Sequence, residues 1–419
     1  MSNKTNTPFK YHAKWQMPQL DDQRNIVGYE ECFGMLTYDG DKCILEVFRD
    51  YRKDAITKMG EFYDVISGCG GNDKEYSLFN VYPLGCDDFI KMTYVADYAI
   101  VGKNVSSMNE PVFQKCTIAY PYLRNWAHRR LWVNDGLDAT TINFDFNCHE
   151  ELFKMDVEEG ITIRLSSTNN LQFQHYEIGY NEDTRFEILS EKPLSISKFK
   201  DIYHKFTNFL SVALYCRQHP NGIVFYTSNC SNEVIPFLFS IQESIEPPKV
   251  PLIVFDKYKD RLNVQLSKWY AKYDRVSPIV NSLIKVLDNN SYDTQKFLMA
   301  AQALDGYHKR FINKLDGKDI RKYAGRIKAL TELFGSVEAI GRCNIDSEVL
   351  RQTRDKYSHL IPEEDPKIQR AVEDKDLYIL TKKSIILLTC CILHYIGMSI
   401  EDTNDCMESS RIKQLLWNI

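Results

Sequence analysis

The spacing of apolar residues changes once along the chain, and this change constrains the fold more than any other feature. Before residue 246, short runs of aromatic and β-branched residues are separated by turn-forming residues, which predicts β-strands. After residue 251, apolar residues recur at three- and four-residue spacings, which predicts helices. The proline-rich segment 246–251 predicts a domain boundary. We therefore expect an α+β chain, with a β-rich domain at 1–250 and an all-α helical bundle at 256–419.

Several segments of the first part have the pattern of strands and hairpins. Residues 34–48 place Tyr-Asp-Gly-Asp between two apolar stretches, as a hairpin does. Residues 161–165 alternate apolar and polar side chains, and residues 172–188 do so on both sides of a predicted turn at 181–183. The glycine-rich segment 67–72 lacks the Lys-Ser/Thr of a phosphate-binding P-loop and is predicted to be a flexible loop. Together these segments predict a sandwich or a barrel-like module.

Helical spacing appears first at 195–218, where Ser197 is the predicted N-cap, and strands are predicted again at 223–226 and 234–239. Ser347 is the predicted N-cap of a later helix. The helices predicted beyond residue 251 are 262–273, 278–287, 294–315, 320–334, 347–360 and 377–396.

Composition excludes several classes of protein. Hydrophobic residues make up 44% and charged residues 26%, so the chain can form sizeable cores and is not wholly disordered. The 12 cysteines include no C-x-x-C pair, which argues against a zinc ribbon. Residues 1–10 lack a secretory signal, and the apolar run 384–398 is shorter than the ~20 residues that span a bilayer. We expect a cytoplasmic protein that does not enter a membrane and needs no metal or other cofactor.

The two parts of the chain differ in charge. Residues 256–419 contain 27 basic and 23 acidic side chains, whereas the preceding residues contain 25 and 34. This asymmetry is a weak indication that the C-terminal part contacts a polyanion.

The sequence Arg-Asp-Lys-Tyr-Ser-His at 354–359 is the strongest local signal for chemistry. A histidine can exchange a proton with a ribose hydroxyl, and a guanidinium can bind a phosphate through two hydrogen bonds. Arg354 and His359 are therefore the predicted catalytic residues of an RNA-cleaving site. On a straight helix they lie about 140° apart, so a distorted helix or a second copy is needed to bring them together.

Other side chains are candidates to support that site. Asp305 and His308 lie three residues apart on one predicted helix, and Asp355 follows Arg354 directly. His394 is predicted to be a core histidine. A basic stretch after residue 308 could contact RNA phosphates, although solvated helix faces have the same composition. The predicted RNA-binding residues in it are Lys309, Arg310, Lys314, Arg321 and Lys322.

The C-terminal part resembles a HEPN domain of the type found in ApeA-like abortive-infection proteins. Three segments carry the resemblance: residues 297–308, the Arg354 to His359 motif, and the apolar helix at 378–398. The first segment usually reads Gln-Ala-Leu-Glu-x-x-His in this family, so Asp305 is a shorter acid at the family's glutamate position. In the N-terminal part, Trp-Gln-Met-Pro at 15–18 and Leu-Arg-Asn-Trp at 123–126 are similar to elements of the ApeA N-terminal domain.

This resemblance implies a HEPN endoribonuclease that serves in antiviral defence. Metal-independent transesterification by the ribose 2′-OH, on RNA that could include tRNA, is the expected reaction. The resemblance also implies a homodimer formed through the HEPN domain, and the acidic N-terminal domain is a candidate sensor of a phage-derived protein. The alternative is a HEPN module without catalytic activity that binds a nucleotide, RNA or a partner.

Overall fold

The structure is a computed structural model that covers most of the chain. The residues that it describes are 8–71, 73–127, 132–133, 143–144, 149–174, 177–231, 233–288, 294–312, 320–408 and 412.

The chain forms two compact units, and each is built from several segments. The first contains Met1–Leu123, Asp145–His204 and His219–Glu243. The second contains Arg124–Phe144, Lys205–Gln218 and Ser244–Ile419. The first unit is β-rich and the second is mainly helical, so the predicted α+β fold class is confirmed. The predicted division into 1–250 and 256–419 stays a prediction.

Antiparallel strands make up most of the first unit. The strands of the chain are β1 (Phe9–Leu20), β2 (Ile26–Tyr38), β3 (Cys43–Phe48), β4 (Tyr63–Gly70), β5 (Glu75–Asp87), β6 (Lys91–Val101), β7 (Phe113–Ala119), β8 (Trp132–Val133), β9 (Asn143–Phe144), β10 (His149–Glu158), β11 (Ile161–Gln174), β12 (Glu177–Leu194), β13 (Gly222–Tyr226) and β14 (Ile235–Phe239). Twelve of these form one sheet within the described residues, and β8 and β9 pair separately in the second unit.

Six strands of the large sheet close into a barrel in the order β6-β3-β2-β1-β4-β5, because β5 also pairs with β6. From β6 the sheet continues through β14, β13, β7, β12 and β11 to β10. The strand β6 therefore belongs both to the barrel and to the rest of the sheet. On one edge, its residues 91–96 pair with β3 and its residues 98–100 pair with β14. Its other edge pairs with β5. The sequence-based expectation of a barrel-like module is confirmed.

The interior of the barrel is filled around Trp15, which is fully buried. Trp15 lies opposite Gly68 on β4, and a Cβ atom at residue 68 would lie 2.5 Å from the indole ring. A Cβ atom at Gly34 would approach the ring to 2.8 Å. The prediction of a flexible loop at 67–72 is wrong for 67–70, because these residues lie in β4. The glycines there provide room for an aromatic side chain.

The hairpin predicted within 34–48 is confirmed as β2–β3, with Asp39 Oδ1 accepting hydrogen bonds from the backbone N–H groups of Asp41 and Lys42. The turn predicted at 181–183 is wrong. These residues lie within β12, which pairs continuously with β11 as far as Gln174 and Glu177. Residues 175–176, between the two strands in sequence, lie outside the described residues.

Helix α1 (Ala55–Met59) belongs to the first unit, whereas α2 (Leu123–Trp126) and α3 (Ile196–Leu214) each contain residues of both units. Residues 196–204 of α3 belong to the first unit and residues 205–214 to the second. Ser195, not the predicted Ser197, caps α3, because its Oγ accepts a hydrogen bond from the N–H of Lys198.

The second unit contains most of the helical residues. Its further helices are α4 (Phe255–Leu287), α5 (Thr294–Tyr307), α6 (Tyr323–Leu333), α7 (Glu338–Cys343), α8 (Ser347–His359), α9 (Asp374–Tyr395) and α10 (Ile400–Met407). A π-helical segment, His308–Ile312, follows α5, and a short 3₁₀ segment, Pro366–Ile368, follows α8. The two helices predicted at 262–273 and 278–287 correspond to α4, which is bent at Lys272 and contains Pro278. The short helices α7 and α10 were not predicted.

Helix α9 forms the centre of the helical unit and packs against α4, α5, α6, α7 and α10. It is long and apolar enough to span a membrane, but 78% of its most apolar window is buried inside the protein. This burial fits the sequence-based interpretation of its apolar run as a core helix.

Candidate active site

Helix α8 carries the Arg-Asp-Lys-Tyr-Ser-His motif in its last two turns. Asp346, not the predicted Ser347, is its N-cap, and Oδ1 of Asp346 accepts hydrogen bonds from the N–H groups of Glu348 (2.8 Å) and Val349 (3.1 Å). The helix ends at Leu360, whose φ of 50° is left-handed. The motif therefore lies at the C-terminal end of one continuous helix.

Two groups hold the side chain of Arg354. Its Nη1 donates a hydrogen bond to Oδ1 of Asp355 at 2.8 Å, and its Cζ lies 4.9 Å from the ring centroid of Tyr323. The other oxygen of Asp355 accepts a hydrogen bond from Nη1 of Arg351 at 2.9 Å. The Arg354 side chain keeps 28% of its surface exposed, and its Nε and Nη2 have no hydrogen bond to a described residue. These two nitrogens can donate to an anion such as a phosphate.

Tyr323, the first residue of α6, forms the floor beneath Arg354. It is almost fully buried, and its hydroxyl donates a hydrogen bond to the carbonyl oxygen of Ala301 on α5 at 3.0 Å. Burial raises the pKa of Tyr323 well above its usual value, and the nearby Asp305 carboxylate raises it further. The phenol therefore stays neutral and presents its ring face to the guanidinium.

Asp305 joins α5 to α6. Its carboxylate forms ion pairs with Nε of Arg326 and with Nζ of Lys309, the latter at 2.7 Å. Arg326 is 8% exposed, and its Nη1 also donates to the carbonyl oxygens of Ile320 (2.9 Å) and Arg321 (2.6 Å). Because removing one partner would leave a buried charge unpaired, the Asp305–Arg326 pair stabilises the contact between α5 and the first turn of α6, where Tyr323 lies.

The other predicted support residue, His308, begins the π-helical segment and is fully buried. Beside it, the hydroxyl of Tyr307 lies 2.9 Å from Nδ1 of His394 on α9. Burial lowers the pKa of His394, and the positive charge of Lys268 lowers it further. The structure thus places His308 in the core and His394 at its margin, whereas Asp355 holds Arg354 directly and Asp305 lies near Tyr323, the other group that holds Arg354.

His359 is exposed at the end of α8 and has no hydrogen bond or ion pair to any residue that the structure describes. Because α8 is continuous, the five-residue step from Arg354 turns about 500° and leaves the two side chains about 140° apart. The distorted helix that could bring them together within one chain is not present.

Comparison with known protein families gives two matches. Residues 10–269 match the family model of ApeA N-terminal domain 1, and residues 298–402 match the Apea-like HEPN family model. The chain belongs to the ApeA-like family. The sequence-based recognition of an ApeA-like protein with a C-terminal HEPN domain is confirmed. No curated protein and no solved structure gives a significant match.

Membership in the ApeA-like family identifies the chain, at the family level, as a HEPN nuclease-type abortive-infection protein. The HEPN match covers α8 and therefore includes Arg354 and His359. Within the described part of the chain, no three His, Cys, Asp or Glu side chains lie in a group that could hold a metal ion.

In the ApeA-like chain, the five residues predicted to bind RNA differ in exposure and in the partners of their side chains. Lys309 is exposed but is paired with Asp305, and Arg310 is exposed and donates to the carbonyl oxygen of Arg275. Arg321 and Lys322 are exposed at the start of α6. Lys314 lies outside the described residues. Their contact with RNA stays a prediction.

Neither Tyr323 nor Arg326 was assigned a role in the candidate site from the sequence. Both lie on the first turn of α6, three residues apart, so one helix face carries them toward α5. That spacing was visible in the sequence. Their partners, Ala301 and Asp305, are about 20 residues away on another helix, and no local pattern links the two pairs.

Proposed function

We propose that this ApeA-like protein is a metal-independent endoribonuclease that acts in anti-phage abortive infection in the cytoplasm. The observation that carries the proposal is the position of Arg354 and His359 at the accessible end of α8. Arg354 is oriented by Asp355 and Tyr323, with two nitrogens left for an anion, and His359 is exposed to solvent. The HEPN family match supports this assignment.

In the proposed reaction, the ribose 2′-oxygen attacks the adjacent phosphorus and the bond from phosphorus to the 5′-oxygen breaks. His359 accepts the proton of the 2′-OH or donates a proton to the departing 5′-oxygen. The guanidinium of Arg354 binds the phosphate oxygens and stabilises the charge that develops on them. The products are a 2′,3′-cyclic phosphate end and a 5′-hydroxyl end.

Two copies of the chain are part of the proposal, because Arg354 and His359 diverge on a straight α8. An isologous contact between two α8 helices would duplicate both side chains across a twofold axis. Arg354 of one copy could then act with His359 of the other. The proposed assembly is a homodimer formed through the HEPN domain.

The first test compares purified full-length protein with the His359→Ala and Arg354→Ala variants. Each is incubated with total cellular RNA, including a tRNA fraction, in the presence of EDTA. Two exposed residues provide matched controls, His12→Ala on β1 and Arg342→Ala on α7. We expect cleavage by wild type and both controls only, with cyclic phosphate ends identified by mass spectrometry. Products with only 3′-hydroxyl ends would contradict the proposed chemistry.

A mixing experiment tests the shared site. If one site takes its arginine and histidine from different copies, a mixed dimer of Arg354→Ala and His359→Ala contains one intact site. An equimolar mixture should then recover on the order of a quarter of wild-type activity. Activity that stays at the level of each single variant would show that both residues act within one chain.

A phage-derived protein is the proposed trigger, with the acidic N-terminal part as its sensor or as a mask of the basic surface. If wild type leaves RNA intact, the same panel is repeated in phage-infected extract. Cleavage there by wild type only would support the trigger. Inactive wild type in both conditions, with an unchanged phage-defence phenotype in His359→Ala, would favour the non-catalytic binding module.

A further inference from the structure

Helix α4 is bent at Lys272, whose φ of −130° and ψ of 15° are not helical. Pro278 lies six residues further on; it has no backbone N–H, and its ring crowds the carbonyl group of residue 274. Side chains satisfy three carbonyl oxygens near the bend: Tyr395 Oη donates to Lys272 (2.6 Å), Ser277 Oγ to Asp274 (3.3 Å) and Arg310 Nη1 to Arg275 (2.9 Å). The bend thus brings the π-helical segment after α5 against α4.

Four exposed cations surround this bend: Lys268, Lys272, Arg275 and Arg310, here called the α4 cation cluster. Arg275 and Arg310 each donate a hydrogen bond to the backbone carbonyl oxygen of the other residue, so each guanidinium lies against the backbone that carries the other. Lys268 and Lys272 lie one turn apart on α4. Burial lowers the pKa of Lys268, and the charge of Lys272 lowers it further.

None of these four side chains forms an ion pair with a described carboxylate. Asp274, the acid next to Arg275 in the sequence, pairs with none of them. Eight other cations of the helical unit are paired with acids: Lys257 with Asp405, Arg261 with Asp402, Lys309 with Asp305, Lys328 with Glu332, Arg342 with Glu338, Arg351 with Glu348, Lys356 with Glu373 and Arg370 with Asp346. Single described cations such as Lys285, Lys367 and Lys383 also lack an ion pair with a described acid, whereas in the α4 cation cluster four such side chains lie around one bend. The cluster is therefore a local excess of positive charge that an anion would stabilise.

The C-terminal end of α5 links the cluster to the candidate active site. Arg310 follows Asp305 by five residues, about 7.5 Å along a helix axis. The Asp305 carboxylate acts electrostatically on Tyr323, and the ring of Tyr323 lies beneath Arg354. The five-residue step from Asp305 to Arg310 turns their side chains about 140° apart, so a polyanion bound at Arg354 would pass around the end of α5 to reach the cluster.

We infer that the α4 cation cluster binds backbone phosphates of the RNA substrate beyond the phosphate held at Arg354. This inference rests on the proposed ribonuclease function. It assigns much of the electrostatic contact with RNA to α4, because Lys309, in the basic stretch predicted from the sequence, already pairs with Asp305.

The test measures RNA binding in the full-length His359→Ala protein, so that cleavage does not interfere. The cluster variant carries Lys268→Gln, Lys272→Gln and Arg275→Gln. The control variant carries Lys257→Gln, Lys328→Gln and Arg342→Gln, which remove the same charge from paired, exposed side chains of the same unit. A fluorescently labelled 20-nucleotide RNA is titrated at several salt concentrations.

Each phosphate contact on a single strand contributes about 0.7 to the slope of log K against log salt concentration. We expect the cluster variant to lose about 2 from that slope and at least about tenfold in affinity at low salt. The control variant should bind nearly as wild type. Equal losses in both variants, or no loss in the cluster variant with its melting temperature unchanged, would overturn the inference.

Two further measurements separate this inference from the proposed function. Cleavage is measured in the same two triple variants with His359 restored. If the wild-type protein binds RNA through the cluster but never cleaves it, the ribonuclease proposal is rejected and the phosphate-binding site is retained. Binding to phosphatidylserine vesicles is measured as well. If the cluster variant still cleaves and binds RNA but no longer binds the vesicles, the inference is overturned and the cluster binds a lipid surface instead.

Discussion

The guanidinium of Arg354 lies over the ring of Tyr323, with Cζ 4.9 Å from the ring centroid. The ring of Tyr323 thus helps to hold the guanidinium that is proposed to bind phosphate, although Tyr323 itself takes no part in the proposed reaction. Since a cation–π contact contributes about 0.5 to 2 kcal/mol, replacing Tyr323 with Leu should lower the rate of RNA cleavage roughly 2- to 30-fold. Tyr323→Phe keeps the ring and should retain most activity. Initial rates on labelled RNA test this, and equal losses in both variants would assign the effect to the hydroxyl group.

Asp355 should orient Arg354 through charge. The Asp355→Asn variant keeps the shape of the side chain but weakens the hydrogen bond at 2.8 Å, so we expect roughly tenfold slower RNA cleavage. Glu348→Gln is the control, because Glu348 pairs with Arg351, the other partner of Asp355, but forms no ion pair with Arg354 in the described structure. The rates of both variants are compared with wild type. A loss in Glu348→Gln as large as that in Asp355→Asn would indicate a general effect on α8.

His394 should make the stability of the protein depend on pH. Its pKa in the folded protein lies below the usual histidine value of 6.5, so the unfolded chain binds more protons between the two pKa values. Stability from neutral His394 is therefore complete above about pH 6.5 and falls as pH decreases toward the folded pKa. Melting temperatures from pH 5 to 7.5 should fall less toward acid in His394→Phe than in wild type. Parallel pH curves for the two proteins would exclude this role.

The absence of a side chain at Gly68 should be needed for the full stability of the barrel. In Gly68→Ala the new methyl group would lie 2.5 Å from the ring of Trp15, and such overpacking costs about 1 to 3 kcal/mol. Gly85→Ala on β5 is the control, because a methyl group at residue 85 would have no described atom from elsewhere in the fold within 4 Å. Denaturant unfolding should show a lower midpoint for Gly68→Ala only. Similar midpoints for the two variants would mean that the barrel adapts around Trp15.

Local sequence patterns predicted the types of most elements but not how they join. The change from strand to helix spacing, the β2–β3 hairpin and the position of α8 were readable, because each depends on neighbouring residues. Closure of the barrel depends on the pairing of β5 with β6 and of β1 with β4, which no local spacing reveals. The sequence pattern predicts a helix start at Pro278, whereas side chains from other elements stabilise the bend that keeps this proline within α4.

In the candidate site, too, neighbouring residues could be predicted from the sequence and contacts between distant residues could not. Arg354, Asp355 and His359 were found because they lie within six consecutive residues. The Tyr323 floor and the pairing of Arg326 with Asp305 were not, because they depend on contacts between α5, α6 and α8. A charged side chain in a sequence does not show whether it is paired, so the sequence does not reveal that Lys309 pairs with Asp305; contact of Lys309 with RNA stays a prediction.

The sharing of β6 between the barrel and the open sheet has a mechanical consequence. Both edges of this strand are occupied, by β5 on one side and by β3 and β14 on the other. Peeling β6 away would break three ladders at once and open the barrel and the sheet together. A force that pulls on β14 should therefore act directly on the barrel strands, because β14 is hydrogen-bonded to β6.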